Sequence, residues 1–340
     1  MKIRFLPFVL IFVPAAVLAA AESDYPRYEP QGNLNGELHS VGTDVMDTVT
    51  LAWFEIFRKA HPQVEATMAA RGASTAFPGL IAGDGQLAPL SRGATAKEAE
   101  AFVKKFGYPP TEIRVSLGTY DSFGLSPPIV LFVHRDNPLD ELTLALVEQI
   151  YAKEGSITTW GQLGLRGEWA GRPIAVWGLR LPNGTATFFQ EAAMHRRDFR
   201  ATMILRPTAD GLSRSAQRAP NGSVQAFVDI LAGVADDRHA LGYAAPGYET
   251  SGVKMLAISG VRPTRENVAN LRYPLTRFAY IYVNRVPGQP LAPNTREFLR
   301  IALSRQGQEL IAQRSGFLPL PPRVAREEAD KLDFPRLPPP

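Results

Sequence analysis

The chain contains no cysteine. Disulfides, thiolate nucleophiles and cysteine-ligated metals are therefore excluded from its chemistry. Its five histidines, His39, His61, His134, His195 and His239, show no metal-ligand spacing. A Gly-x-x-x-x-Gly-Lys phosphate loop is missing, and so is a Gly-x-Ser-x-Gly nucleophile elbow. Ser251 to Lys254 repeats Ser-x-x-Lys, a spacing that arises by chance in many chains. Acidic residues are scattered, so no paired-carboxylate hydrolase is indicated. No Lys/Arg run is present, and a formal charge of +4 argues against a nucleic-acid binder. After the first residues, no stretch is apolar enough to span a membrane.

What is present is a globular chain of 340 residues, 45% hydrophobic and 21% charged, long enough for two domains. Lys2 and Arg4 make a basic start. An apolar run from Phe5 to Leu18 and the small residues Ala19, Ala20 and Ala21 follow. That order predicts a secretory signal peptide over residues 1–21, cleaved after one of the three alanines. Without a cysteine near the cut, a lipid anchor is excluded.

Four short polar clusters then stand out, each placed where a strand turns into a helix. They are Gly42-Thr43-Asp44-Val45-Met46, Gly72-Ala73-Ser74-Thr75-Ala76, Pro89-Leu90-Ser91-Arg92 and Arg180-Leu181-Pro182-Asn183-Gly184-Thr185. Small residues and hydroxyls ahead of an apolar-periodic run mark a helix N-terminus. Such an end offers unpaired N–H groups and partial positive charge, and so binds anions, phosphate above all. Thr43 and Ser74 can cap a helix and still offer a hydroxyl to a ligand. Arg92 and Arg180 suit bidentate contact with a tetrahedral oxyanion. Gly184 lets the backbone approach a ligand closely.

The rest of the chain alternates strands and helices. Strands are predicted at 38–41, 64–68, 86–90, 114–119, 129–134, 173–178, 241–245 and 278–284. Helices are predicted from 44 to about 60, from 75, at 95–106, 143–151, 187–195 and 223–231, and as one long helix at 294–312. Thr95 with Glu98, and Asn294 with Glu297, have capping-box spacing. The Pro-rich tail from Pro319 is expected to wrap or fray. This alternation predicts βαβ units and mostly parallel sheets, with ligand at the carboxyl ends of strands.

With those residues in view, the chain resembles the periplasmic phosphate-binding proteins of phosphate ABC transporters, the PstS type. The four clusters carry the likeness. Val133-His134-Arg135-Asp136-Asn137-Pro138-Leu139, Trp160-Gly161-Gln162-Leu163, Tyr273-Pro274-Leu275-Thr276-Arg277 and Tyr280-Ile281-Tyr282-Val283-Asn284 add to it. The resemblance implies an α/β, two-lobed periplasmic-binding-protein fold of type II, each lobe a mixed, mostly parallel sheet flanked by helices. Lobe I takes residues 22–125 plus 275–340 and lobe II takes 126–274, with a hinge near Ser126 to Val133 and Pro274 to Val283. It implies phosphate held by Thr43, Asp44, Val45, Ser74, Thr75, Ser91, Arg92, Arg180, Asn183, Gly184 and Thr185. No cofactor, metal or catalysis is implied. The expected partners are phosphate and the membrane permease of an ABC transporter. A monomer in the periplasm is expected, with full secretion the alternative.

The chain departs from the family pattern at two places. Arg92 stands where the third cluster usually carries an Asp that reads the ligand proton, a role that falls to Asp44. Asn183 stands where Ser is usual. Another tetrahedral oxyanion or a phosphorylated organic ligand therefore stays open, as do a secreted phosphatase-like relative and a receptor that has lost its ligand.

Overall fold

The computed structural model describes residues 25–120, 126–181, 183–206 and 224–333. The expected signal peptide, Pro182 of the fourth cluster and the end of the tail lie outside them. In chain order the first elements are β1 (Gly36–Gly42), α1 (Asp47–Ala60), β2 (Val64–Ala70), α2 (Ala76–Ala82), β3 (Ala88–Leu90), α3 (Ala96–Phe106) and β4 (Thr111–Leu117). The middle of the chain forms β5 (Val130–His134), β6 (Glu141–Leu142), α4 (Leu144–Tyr151), β7 (Ala175–Leu179), α5 (Gly184–Met194), β8 (Ile204–Arg206), α6 (Gln225–Asp236), β9 (Ala240–Ala244), β10 (Val253–Met255), β11 (Ala257–Ile258) and α7 (Arg265–Ala269). The last part is β12 (Phe278–Val283), α8 (Pro293–Leu303), α9 (Arg305–Arg314) and α10 (Pro322–Asp333).

Local chemistry explains most of these elements. On α1, Val49, Trp53, Phe54 and Phe57 recur at helical spacing and are buried. The helix stops at His61, because the residue before Pro62 is pushed out of the helical region. Thr95 caps α3 in a full capping box with Glu98, and Gly107 closes the helix in the left-handed region at φ 81°. Residues Ile129 to Val133 are wholly buried, as expected of a strand covered on both faces.

Two sheets follow the same plan. In one, β2 pairs with β1 in parallel, and β3, β12 and β4 form an antiparallel set. The parallel bridge Ser40–Leu87 joins β1 to β3, with Val41 N–H donating to the Leu87 carbonyl at 3.0 Å. In the other the order is β10-β5-β9-β7-β8. Each sheet therefore carries one strand running against the other four, β12 in the first and β5 in the second. Both of these follow a segment that crosses from the other sheet. The crossing segments lie side by side: Gly118 N–H donates to the Arg277 carbonyl at 2.8 Å and Ile129 N–H to that of Leu275 at 3.1 Å.

Three expectations fail at the C-terminal end. The predicted single helix 294–312 is two helices, broken at Ser304. Ser304 is extended (φ −77°, ψ 167°), and its hydroxyl accepts from Gly307 N–H at 3.1 Å and donates to the Ile301 carbonyl at 2.7 Å. The break lets Trp53 donate from Nε1 to the Gly307 carbonyl at 3.1 Å. Asn294 is not a cap, for α8 starts with Pro293 at its first position. Instead Asn294 donates to the carbonyls of Asn35 and Glu37, and Glu297 is buried against Tyr28 and His61. The tail, expected to wrap or fray, forms α10. That helix buries Val324, Ala325, Leu332 and Glu328, and Glu328 accepts from Arg114.

Candidate functional site

Strands β2, β1 and β3 lie side by side, so the first three clusters converge at their carboxyl ends. Gly42 is the knot. Its carbonyl accepts from the N–H groups of Arg71 at 3.0 Å and Gly72 at 3.2 Å. A Cβ on Gly42 would lie 2.4 Å from the Pro89 carbonyl oxygen, so only glycine fits. Thr43 is buried; its N–H donates to the Pro89 carbonyl at 3.0 Å. Its hydroxyl oxygen accepts from Val45 N–H at 3.2 Å, capping a single 3-10 turn, Asp44–Met46. The amides of Thr43 and Val45 are thus committed within the protein. The Thr43 O–H proton is left to face a ligand. Asp44 is half-buried and Ser74 is exposed on the 3-10 turn Ala73–Thr75. Thr75 donates its hydroxyl to the Gly72 carbonyl at 2.8 Å.

The fourth cluster belongs to the other sheet, at the turn from β7 into α5. Asn183 caps α5, its Oδ1 accepting from Thr185 N–H at 2.9 Å and Ala186 N–H at 3.1 Å. The Thr185 and Ala186 amides are therefore satisfied by the cap. Arg92 of the third cluster reaches this turn: a Cβ on Gly184 would lie 3.3 Å from its Cδ. The Arg92 fork is held from behind. Nη1 and Nη2 donate to the two Glu98 carboxylate oxygens at 2.7 and 2.8 Å, and Nη1 also to the Gly93 carbonyl at 2.9 Å. Burial acts to raise the Glu98 carboxyl. The Arg92 bonds and charge, with hydrogen bonds from Thr95, outweigh it and hold the group below its usual range. Ser91 is half-buried, and its carbonyl accepts from the Ser126 hydroxyl.

A second cation reaches the same helix end. Arg277, just before β12, is only 5% exposed. Its Nη1 donates to the Thr185 hydroxyl oxygen at 3.1 Å, and its guanidinium lies over the Phe188 ring at 5.1 Å. Its Nε is buried with no partner. Arg180, by contrast, is exposed at the end of β7, and its N–H donates to the Arg206 carbonyl at 3.0 Å.

The family model described as a PBP superfamily domain matches residues 28–306. The phosphate-binding protein PstS of Pseudomonas aeruginosa is 32% identical, over 98% of this chain and 99% of its own length. The chain belongs to the PstS family of the PBP superfamily. Protein SphX of Synechococcus elongatus is a more distant relative, 26% identical over 91% of this chain and 84% of its own length. The fold is that of solved relatives. PstS from Borrelia burgdorferi superposes with a TM-score of 0.57 at 16% identity, covering 84% of this chain and 99% of that one. An ABC-type phosphate transport receptor from Vibrio cholerae gives 0.53 at 20%, covering 83% and 99%.

Within that two-lobed fold, the site's side chains are mainly donors and cations, with Glu98 bracing Arg92 and Asp44 as a second carboxylate in the first cluster. Among the described residues, no three His, Asp or Glu gather to hold a metal ion. Lys254 of the Ser-x-x-Lys spacing pairs with Asp140 at 2.7 Å. Sequence reasoning missed Arg277 as a site residue, although it ends one of the family-like segments. The available signal was a lone cation immediately before a strongly apolar, alternating strand.

Proposed function

We propose that this protein captures inorganic phosphate, or a closely related tetrahedral oxyanion, between its two lobes and passes it to the permease of an ABC importer. One observation carries the reading. Arg92 of the third cluster lies beside the N-terminus of α5, so close that a Cβ on Gly184 would be 3.3 Å from its Cδ. The strand-to-helix turns of both sheets thus meet at one place, with cations and hydroxyls in the gap. Helix ends and guanidinium groups in a desolvated cleft are anion-binding chemistry. Membership of the PstS family supports the reading, since its relatives carry the name phosphate-binding protein.

In this reading lobe I spans 22–125 and 275–340, lobe II spans 126–274, and the lobes close by a hinge at the crossing segments. Hydroxyls of Thr43, Ser74, Ser91 and Thr185, the Gly184 amide, the Asn183 side chain and Arg92 line the ion, and Thr75 fixes the second turn through its bond to the Gly72 carbonyl. Asp44 reads the ligand proton. Arg180 stands at the rim. The mature protein acts in the periplasm after loss of residues 1–21, as a monomer, with no cofactor and no catalytic turnover.

Isothermal titration of the mature protein, stripped of ligand by unfolding and refolding, tests this. Phosphate is expected to bind in the micromolar range or tighter and sulfate to give no heat. Sulfate binding, or silence with both ions, removes the transport assignment. Turnover of a phosphate ester that disappears in Ser74→Ala points to a phosphatase instead.

A further inference from the structure

We infer that Arg277 is the residue that matches the charge of the bound anion, with the Thr185 hydroxyl as a donor that it orients. This rests on the oxyanion reading above and goes beyond it, because sequence motifs direct attention to Arg92 and Arg180. A buried guanidinium without a counter-charge is costly, and stable folds rarely keep one unless something arrives to meet it. Arg92 already has its counter-charge in Glu98, and Arg180 lies in solvent. Arg277 is buried, and among the described residues no carboxylate pairs with it. Its contacts are one hydroxyl, one aromatic face and an unpartnered Nε.

Arg200 and Arg285 are also buried without an ion-paired carboxylate among the described residues, but each donates to two backbone carbonyls, whereas the Arg277 guanidinium donates only to the Thr185 hydroxyl at the site. The bond that ties the crossing segments together uses the Arg277 carbonyl, which any residue supplies. Burial draws its guanidinium down to about 10; neighbouring Tyr280 works the other way, and the nearby charge of Arg92 lowers it further. An anion between the two arginines relieves both penalties. The Thr185 contact has a directional consequence. Its oxygen accepts from Arg277, so its own proton points elsewhere, where it can donate to a ligand oxygen. That donor matters because Asn183 already satisfies the amides of Thr185 and Ala186.

The test titrates inorganic phosphate, and sulfate in a parallel cell, into ligand-stripped mature wild type, Arg277→Gln, Arg277→Lys, Thr185→Val and Arg180→Ala. Thermal melts without ligand accompany each. Arg277→Gln is expected to bind about 100-fold more weakly, because a charge-assisted contact in a dry cleft is lost. Its ligand-free melting temperature should equal or exceed that of wild type, since an unpaired buried charge has been removed. A role confined to packing predicts the opposite shift. Arg277→Lys and Thr185→Val should each lose about tenfold, and Arg180→Ala less than either. The inference is overturned if Arg277→Gln binds within about threefold of wild type, or if Arg180→Ala loses more than it does. Should Arg277→Gln not fold, unchanged binding in both Arg277→Lys and Thr185→Val has the same force. A wild type that binds neither ion overturns the oxyanion reading, and this inference falls with it. A wild type that binds while the Arg277 variants match it overturns this inference alone.

Discussion

The Glu98 side chain serves two structures at once. Its carboxylate closes the capping box of α3 through Thr95 and holds the fork of Arg92 at the cleft. With the fork engaged, Arg92 has only its Nε edge for a ligand. Arg92→Ala is therefore expected to weaken phosphate binding about tenfold, a smaller loss than at Arg277. Titration of the two variants side by side checks the ranking. The pair also has a pH signature. Glu98 titrates below its usual value of 4.5 in the folded protein. The stability it contributes is present above that value and is lost as the pH falls through the folded-state value. Melting temperatures of wild type and Glu98→Gln should differ at neutral pH and converge in acid. A gap that persists unchanged in acid shows that the ionised carboxylate is not what stabilises α3 and Arg92.

At the scale of elements, the informative place is the corner between α8 and α9. Ser304 caps the second helix and Gly307 sits under the end of the first. A Cβ on Gly307 would lie 2.0 Å from the Ile301 carbonyl oxygen, a distance that forces the backbone apart. Gly307→Ala should destabilise the fold by about 2–3 kcal/mol, with the Trp53 environment disturbed in near-ultraviolet circular dichroism. Thr95→Ala at the N-cap of α3 should cost about 1 kcal/mol in urea denaturation, the usual loss for a removed cap. A neutral Thr95→Ala shows that Glu98 alone fastens that end. The element at the site, α5, follows the same logic. Its cap is Asn183, a side chain long enough to accept from two amides, so its terminus offers a ligand the hydroxyl of Thr185 and little more of its own backbone.

For the whole molecule, the crossing segments decide how the lobes relate. Arg277 sits on one of them, and Ser126 on another takes a left-handed φ of 58°, a conformation that side-chain-bearing residues rarely hold. In the proposed reading, a ligand between the lobes lies against a residue of these crossing segments, Arg277. Phosphate at 100 times its dissociation constant should stabilise the mature protein by about 2.7 kcal/mol. It should also reduce the radius of gyration in small-angle scattering. Stabilisation without compaction counts against hinge closure.

Much of the candidate site was legible in the sequence because its signals are local. A strand-to-helix turn needs small residues, hydroxyls and caps within a few positions of one another, and those appear as written at Gly42, Gly72, Ser91 and Asn183. The capping box of Thr95 and Glu98 is equally local, and its second duty toward Arg92 spans only the six positions from Arg92 to Glu98. The composition excluded cysteine chemistry, and motifs spread over the length indicated the family. The tertiary structure decided the rest. Which arginine is buried depends on how distant segments cross, so Arg277 entered the site and Arg180 stayed in solvent. The break at Ser304 depends on the Trp53 indole that α9 must reach, 254 positions away from Gly307. The reversed directions of β5 and β12 are visible only in how the strands pair. Periodicity carries no information about any of these, because each is set by contacts between residues far apart in sequence.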